Sequence, residues 1–217
     1  MKKLINSGLL LACVGTVLAG CAVSLAKVDI DKLTADVVKS SFRDEGLVKL
    51  SVLDTDETNR LCSAADVAGK PLEPEVAKKV MDDNFKSIQW PSDGKFLGDW
   101  REGEKIAQSG RGLTFTDDAS TVNGGNCYNC HQIDKAEISF GTIGPSLYNY
   151  GKLRGVTDPN SPEVSAVVHY TWGKIWNGKA YNACSIMPRA GHKGILTETQ
   201  IKHLMALLLD PKSPVNQ

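Results

Sequence analysis

The sequence predicts an all-α protein: a helical N-terminal extension over residues 27–94, followed by a helical domain over 95–217. Two observations carry that prediction. Apolar residues recur at helical spacing, as in Val164, Val167, Val168 and Trp172, and again in Ile201, Leu204, Met205 and Leu208. Helix boundaries are also written out, most clearly by Thr197 with Gln200 as a capping box and by Asp210-Pro211 as a stop.

Taken in order, Asp31–Lys49 and Glu73–Ile88 are amphipathic, charged stretches joined by loops at Gly69-Lys70-Pro71 and Trp90-Pro91-Ser92. They hold too little apolar material for a large core of their own. Phe96–Gln108 reads as a helix with Leu97, Trp100 and Ala107 on one side, and Gly103 lets a partner helix approach closely. Asn123-Gly124-Gly125-Asn126 is a flexible approach to the segment that follows, and Gly141–Gly151 is a loop containing Gly144-Pro145-Ser146-Leu147. Helices over about 162–177 and 197–209 complete the domain.

The chain has 217 residues, 41% hydrophobic and 23% charged, which suits one globular domain with an extension. Lys+Arg and Asp+Glu both number 25, so nothing points to nucleic acid as a partner. Beyond the N-terminal segment no run of about 18 apolar residues is available to cross a membrane. Met1-Lys2-Lys3 followed by the apolar Leu4–Val17 has the layout of an export signal. Leu18-Ala19-Gly20-Cys21 reads as a lipobox that ends a signal at residue 20 and leaves a lipidated Cys21. Ser24-Leu25-Ala26 reads instead as an ordinary cleavage site that ends it at residue 26. Both readings place the protein in an oxidising compartment, a bacterial periplasm.

Four cysteines remain after Cys13 and Cys21. Cys127-Tyr128-Asn129-Cys130-His131 has the C-x-x-C-H spacing of covalent haem c attachment. Two thiols three positions apart reach the two vinyl groups of one porphyrin, and the adjoining His131 becomes the proximal iron ligand. No second ligand pair at short spacing supports a zinc site, and no βαβ pattern supports a thioredoxin-like one. Cys62 and Cys184 are an even pair in an exported protein, most simply a disulfide; two separate cysteines, with Cys184 near the haem, are the alternative. Among the candidate second axial ligands, Met205 belongs to a core stripe, His203 falls on the solvated face of its helix, and Met81 sits in a charged helix. Met187 lies in the non-helical Ser185-Ile186-Met187-Pro188 and is the expected ligand, with His192 as its rival. A thioether ligand favours ferrous iron and closes the position where oxygen or peroxide would bind, which points to electron transfer.

The order of helix, C-x-x-C-H, Gly144-Pro145-Ser146-Leu147, Met187-Pro188 and terminal helix resembles class I cytochromes c. That resemblance implies a hydrogen bond from His131 to the Pro145 carbonyl. Over residues 140–216 the chain is similar to the SoxX family of sulfur-oxidising bacteria. The similarity is carried by Phe140–Leu147, Tyr170-Thr171-Trp172, Met187-Pro188-Arg189, Ala190–Thr197 and above all the tail Leu208–Asn216. Ala190 stands where many members have a bulkier aromatic residue. The resemblance implies a heterodimer with a SoxA-type cytochrome, acting as an L-cysteine S-thiosulfotransferase on a SoxYZ-type carrier protein. The bond-forming haem belongs to the partner, and the present chain accepts electrons and passes them to a soluble cytochrome c. Asn126–Asn129 and Ile186–Ala190, with Arg189, are the expected docking face. A stand-alone respiratory electron carrier is the alternative, and a haem sensor or peroxidase with an open sixth site a third reading.

Overall fold

A computed structural model describes residues 28–217. Both cleavage readings, together with Cys13 and Cys21, lie outside the described residues. Among the described residues the regular structure is helical throughout, with six α-helices, short 3-10 turns and no strand. One isolated bridge pairs Glu45 with Val48.

The chain divides after Arg43 into two compact units. The first contains α1 (Ile30–Ser41), capped by the Asp29 carboxylate, which accepts from the Lys32 amide at 2.9 Å. None of its residues is buried. It ends well before the expected Lys49 because Phe42 is already extended. Within the second unit, the Asp44 carboxylate then accepts from the Leu50 amide at 2.8 Å to form a local loop.

The second unit, Asp44–Gln217, holds α2 (Glu57–Val67), α3 (Pro74–Lys86), α4 (Trp100–Gln108), α5 (Ser165–Trp176) and α6 (Glu198–Leu209). Residues 44–94 thus share a unit with the C-terminal half, and the chain does not divide at 94/95. Their contribution is a buried polar chain. Asn177, fully buried, donates to Asn84 Oδ1 at 2.9 Å and Ser87 Oγ at 3.0 Å, and Asn84 donates to Thr58 Oγ1 at 3.0 Å. Buried amides left unpaired are costly, so these bonds tie α2 and α3 to the turn after α5. Trp172, at the centre of the core, donates its indole N–H to the Gln89 carbonyl at 2.8 Å. Apolar periodicity does not anticipate α2; its signal is the N-cap, where Asp56 accepts from the Asn59 amide at 2.9 Å.

The α4/α6 pair forms the main helix crossing. A β-carbon at Gly103 would lie 2.2 Å from the His203 carbonyl oxygen, so no larger residue permits this approach. His203 is not on a solvated face as expected: its Nδ1 accepts from the Asp99 amide at 2.8 Å and seats the start of α4 on α6. The capping box at Thr197 and Gln200 is present in both directions. Ile201, Met205 and Leu209 of α6 are fully buried with Trp172 and Val215.

The tail after α6 is built into this core. Ser213 donates to the Leu207 carbonyl at 2.6 Å. Asn216 donates to the Leu208 and Asp210 carbonyls at 3.1 and 3.0 Å and accepts from the Gly151 amide at 2.9 Å. The distinctive tail sequence therefore satisfies the orphan carbonyls of the helix end.

Candidate functional site

Cys127, Tyr128 and Asn129 form a 3-10 turn entered through Asn126, which is left-handed with φ 51°. The Cys127 carbonyl accepts from the amides of Cys130 at 3.1 Å and His131 at 2.9 Å, so both thiols and the imidazole project from one tight turn. Neither thiol is in a disulfide. Burial pushes the Cys127 thiol up to about 12, helped by neighbouring Cys130.

The loop carrying Gly144-Pro145-Ser146-Leu147 lies along this turn. Gly141 N donates to Tyr128 O at 2.8 Å, Gly144 N to Cys130 O at 2.8 Å and Leu147 N to Gln132 O at 2.7 Å. A β-carbon at Gly144 would meet the His131 ring at 2.1 Å, so glycine is what lets the loop lie against the imidazole. His131 Nδ1 is 2.7 Å from the Pro145 carbonyl oxygen. A carbonyl only accepts, so Nδ1 donates there and Nε2 carries the lone pair available to a metal.

Met187 lies in the loop after α5 and packs partly buried against the core. A β-carbon at Gly178 would sit 3.5 Å from Met187 Cβ and 3.8 Å from its Sδ. Three residues upstream, Cys184 is bonded to Cys62 of α2. Of the two readings of that pair, the fold holds the bonded one. It clips α2 to the Met187 segment.

Arg189 does not stand on an exposed docking face. Its side chain is 6% exposed and pairs with the Asp56 carboxylate, which Lys193 also approaches at 3.2 Å. Ala190 is buried as well, whereas Ile186 is 81% exposed. Burial raises the Asp56 pKa, but hydrogen bonds from the Asn59 amide, Arg189 and Lys193 outweigh it and hold the carboxyl well below the usual range. Because the folded value is depressed, this pair stabilises the fold above about pH 4, and the contribution is lost as pH falls from there toward the folded value. Asp56→Asn is expected to cost about 2 kcal/mol at pH 7, less than for a fully dry pair because Asp56 is partly exposed. It should also flatten the loss of stability between about pH 4 and pH 3, read as urea midpoints. A variant with an unaltered acid slope would contradict this account.

Trp172 and Trp176 stack with ring centroids 5.9 Å apart and are buried, whereas Tyr170 of the same helix is exposed. Trp176 Nε1 is buried with no acceptor among the described residues, an exception to the rule that buried donors are paired. His192 is exposed in the loop whose Gly191 packs against the Trp176 indole. Met205 is fully buried in the core stripe. Sequence reasoning missed the Asp56–Arg189 pair, whose members are 133 residues apart, and the buried Lys179 beside it.

Among the described residues, no group of three or more His, Cys, Asp or Glu side chains is placed to hold a metal ion. No helix there is long and apolar enough to cross a membrane.

No family model matches the chain. It is 38% identical over 134 residues to an "Uncharacterized lipoprotein" of Aquifex aeolicus (strain VF5). The match covers 60% of this chain and 59% of the relative, so the chain spans about three fifths of the protein it resembles.

Proposed function

We propose that the chain is an exported monohaem c-type cytochrome with a class I cytochrome c domain. In this reading Cys127 and Cys130 hold one covalent haem c, with His131 and Met187 as the axial iron ligands. The observation that carries it is the C-x-x-C-H turn with His131 Nδ1 tied to the Pro145 carbonyl at 2.7 Å. That bond orients the ring, fixes the tautomer and raises the basicity of Nε2.

The other residues fit such a group. Two unbonded thiols stand on one turn, the partly buried Met187 lies in a loop held by a disulfide, and the unpartnered Trp176 N–H is a donor available to a porphyrin carboxylate. When bound, the haem supplies a one-electron ferric/ferrous couple. Met187 would favour the ferrous state of the bound haem and keep small ligands from its iron, which suits electron transfer over oxygen activation.

The resemblance over residues 140–216 supports a role for this activity in a SoxAX-type L-cysteine S-thiosulfotransferase. Joining thiosulfate to a cysteine thiolate of a SoxYZ-type carrier forms a sulfur–sulfur bond and releases two electrons. The bond forms at the SoxA-type partner; the present chain takes up the electrons one at a time and hands them to a soluble cytochrome c. With Arg189 and Ala190 buried, the docking face contracts to exposed Ile186 and Pro188 together with Asn126 and Asn129. Similarity to a lipoprotein of Aquifex aeolicus supports export to the periplasm and a lipid anchor at Cys21.

Purification of the tagged protein from the native periplasm, with haem staining under denaturing conditions, tests the reading. The expected result is covalent haem on this chain and on a second polypeptide at equal stoichiometry that survives high salt. Loss of the stain in the Cys127→Ser/Cys130→Ser double variant, and a changed ferric spectrum in Met187→Ala, are expected alongside. Stain retained in the double variant would refute the haem assignment. A haem-loaded chain that purifies alone would leave a stand-alone electron carrier.

A further inference from the structure

We propose that the cavity between α2 and the Cys184–Arg189 segment binds a small free oxyanion, with Lys179 as its principal charged contact. The cavity has a volume of about 680 Å³ and is lined on one side by α2 and on the other by residues 184–189. Lys179 lines it with a side chain that is only 7% exposed, yet among the described residues its ammonium forms no ion pair and no hydrogen bond. An ammonium removed from bulk water and left unpaired is costly, and an anion in the adjoining cavity offsets that cost.

The rest of the lining is a set of donors. Arg189, the second cation, commits one guanidinium nitrogen to Asp56, and of its five N–H groups others remain for a ligand. Thr55, Asn59 and Ser63 present hydroxyl or amide donors that have no partner among the described residues. Ser185 Oγ accepts from the Met187 amide at 3.3 Å, which leaves its own O–H free to donate. Asp66 is the one carboxylate on the lining and is exposed, and the Asp56 carboxylate nearby is already engaged by Arg189 and Lys193, so neither forms an ion pair with the buried Lys179. A surface rich in donors and poor in buried acceptors selects an oxyanion over a metal cation. None of these contacts depends on the haem reading.

A carboxylate of a covalently bound porphyrin shares this chemistry, and the test separates the two sources. The probes are inorganic sulfate and acetate, titrated calorimetrically into the full exported protein at constant ionic strength in chloride. The expected result is saturable one-site binding that falls at least about tenfold in Lys179→Met and is retained in Lys179→Arg, as for loss of one charge-assisted hydrogen bond. Circular dichroism and the thermal midpoint keep the comparison to folded protein; Lys179→Met removes a buried unpaired charge and is expected to fold. Absence of saturable binding would overturn the proposal, as would binding that is equal in Lys179→Met. A Lys179→Met variant that shifts the reduction potential, in a protein that binds neither probe, would assign Lys179 to the prosthetic group and also overturn it.

Discussion

Trp172→Ala is expected to destabilise the protein by about 3–5 kcal/mol, the range for truncating a large aromatic residue in a close-packed core. Trp172 has no exposed surface, stands edge-on to Phe96 with ring centroids 5.6 Å apart and stacks on Trp176. Its indole N–H also reaches the Gln89 carbonyl from the other side of the core. Truncation therefore removes packing and leaves a carbonyl without its donor. Trp172→Phe separates the two effects: most ring contacts stay, the hydrogen bond goes, and the expected loss is about 1–3 kcal/mol. Chemical denaturation of both variants at neutral pH reads the difference. If phenylalanine cost nothing, the Gln89 carbonyl would not be anchored through this indole.

Loss of the Cys62–Cys184 bond is expected to cost about 5 kcal/mol in the chain-entropy account, because it closes a loop with a sequence separation of 122. The effect should be visible in the Cys62→Ser/Cys184→Ser double variant as a lower denaturant midpoint. A second consequence follows from position. Cys184 lies three residues before Met187, and α2 bears both Cys62 and, at its cap, the Asp56 that holds Arg189. Without the crosslink the Met187 segment keeps the Asp56–Arg189 pair at the cap of α2 but loses its covalent tie to that helix. Proteolysis in the native state should then begin between residues 182 and 188 in the double variant and not in the parent. Equal midpoints and equal cleavage would show that the ion pair alone is enough.

Much of the candidate site was legible because its chemistry is local. The haem-attachment spacing lies within five residues, and a single turn carries the two thiols and leads straight into the imidazole. Gly144 and Pro145 were flagged by family resemblance, and the structure supplies their physical role: one makes room for the His131 ring and the other accepts a hydrogen bond from its Nδ1–H. Met187 stood out by contrast with Met205, whose helical stripe marked it as core. Helices with a strong apolar period or an explicit cap, α5 and α6 above all, were equally readable. α2 was not, because its apolar face is narrow and its stability comes from the cap, the disulfide and the Thr58–Asn84–Asn177 chain. Phe96–Gln108 shortened to α4 because the helix begins at the Asp99 cap.

The all-α class, the periodic helices, the capping box and the C-x-x-C-H turn were all readable from the order of residues. Each depends on interactions within a few positions, where spacing along the chain already sets distance in space. Membership of residues 44–94 in the same unit as the C-terminal half emerged from long-range packing instead. So did the bond between Cys62 and Cys184, the capping of a neighbouring helix by His203, and the burial of Arg189 against Asp56 in place of a docking contact. Those outcomes depend on which groups meet across 83 to 133 residues, as in Trp172 with Gln89 and Arg189 with Asp56. At such separations composition permits many pairings, and close packing with full satisfaction of buried polar groups selects one.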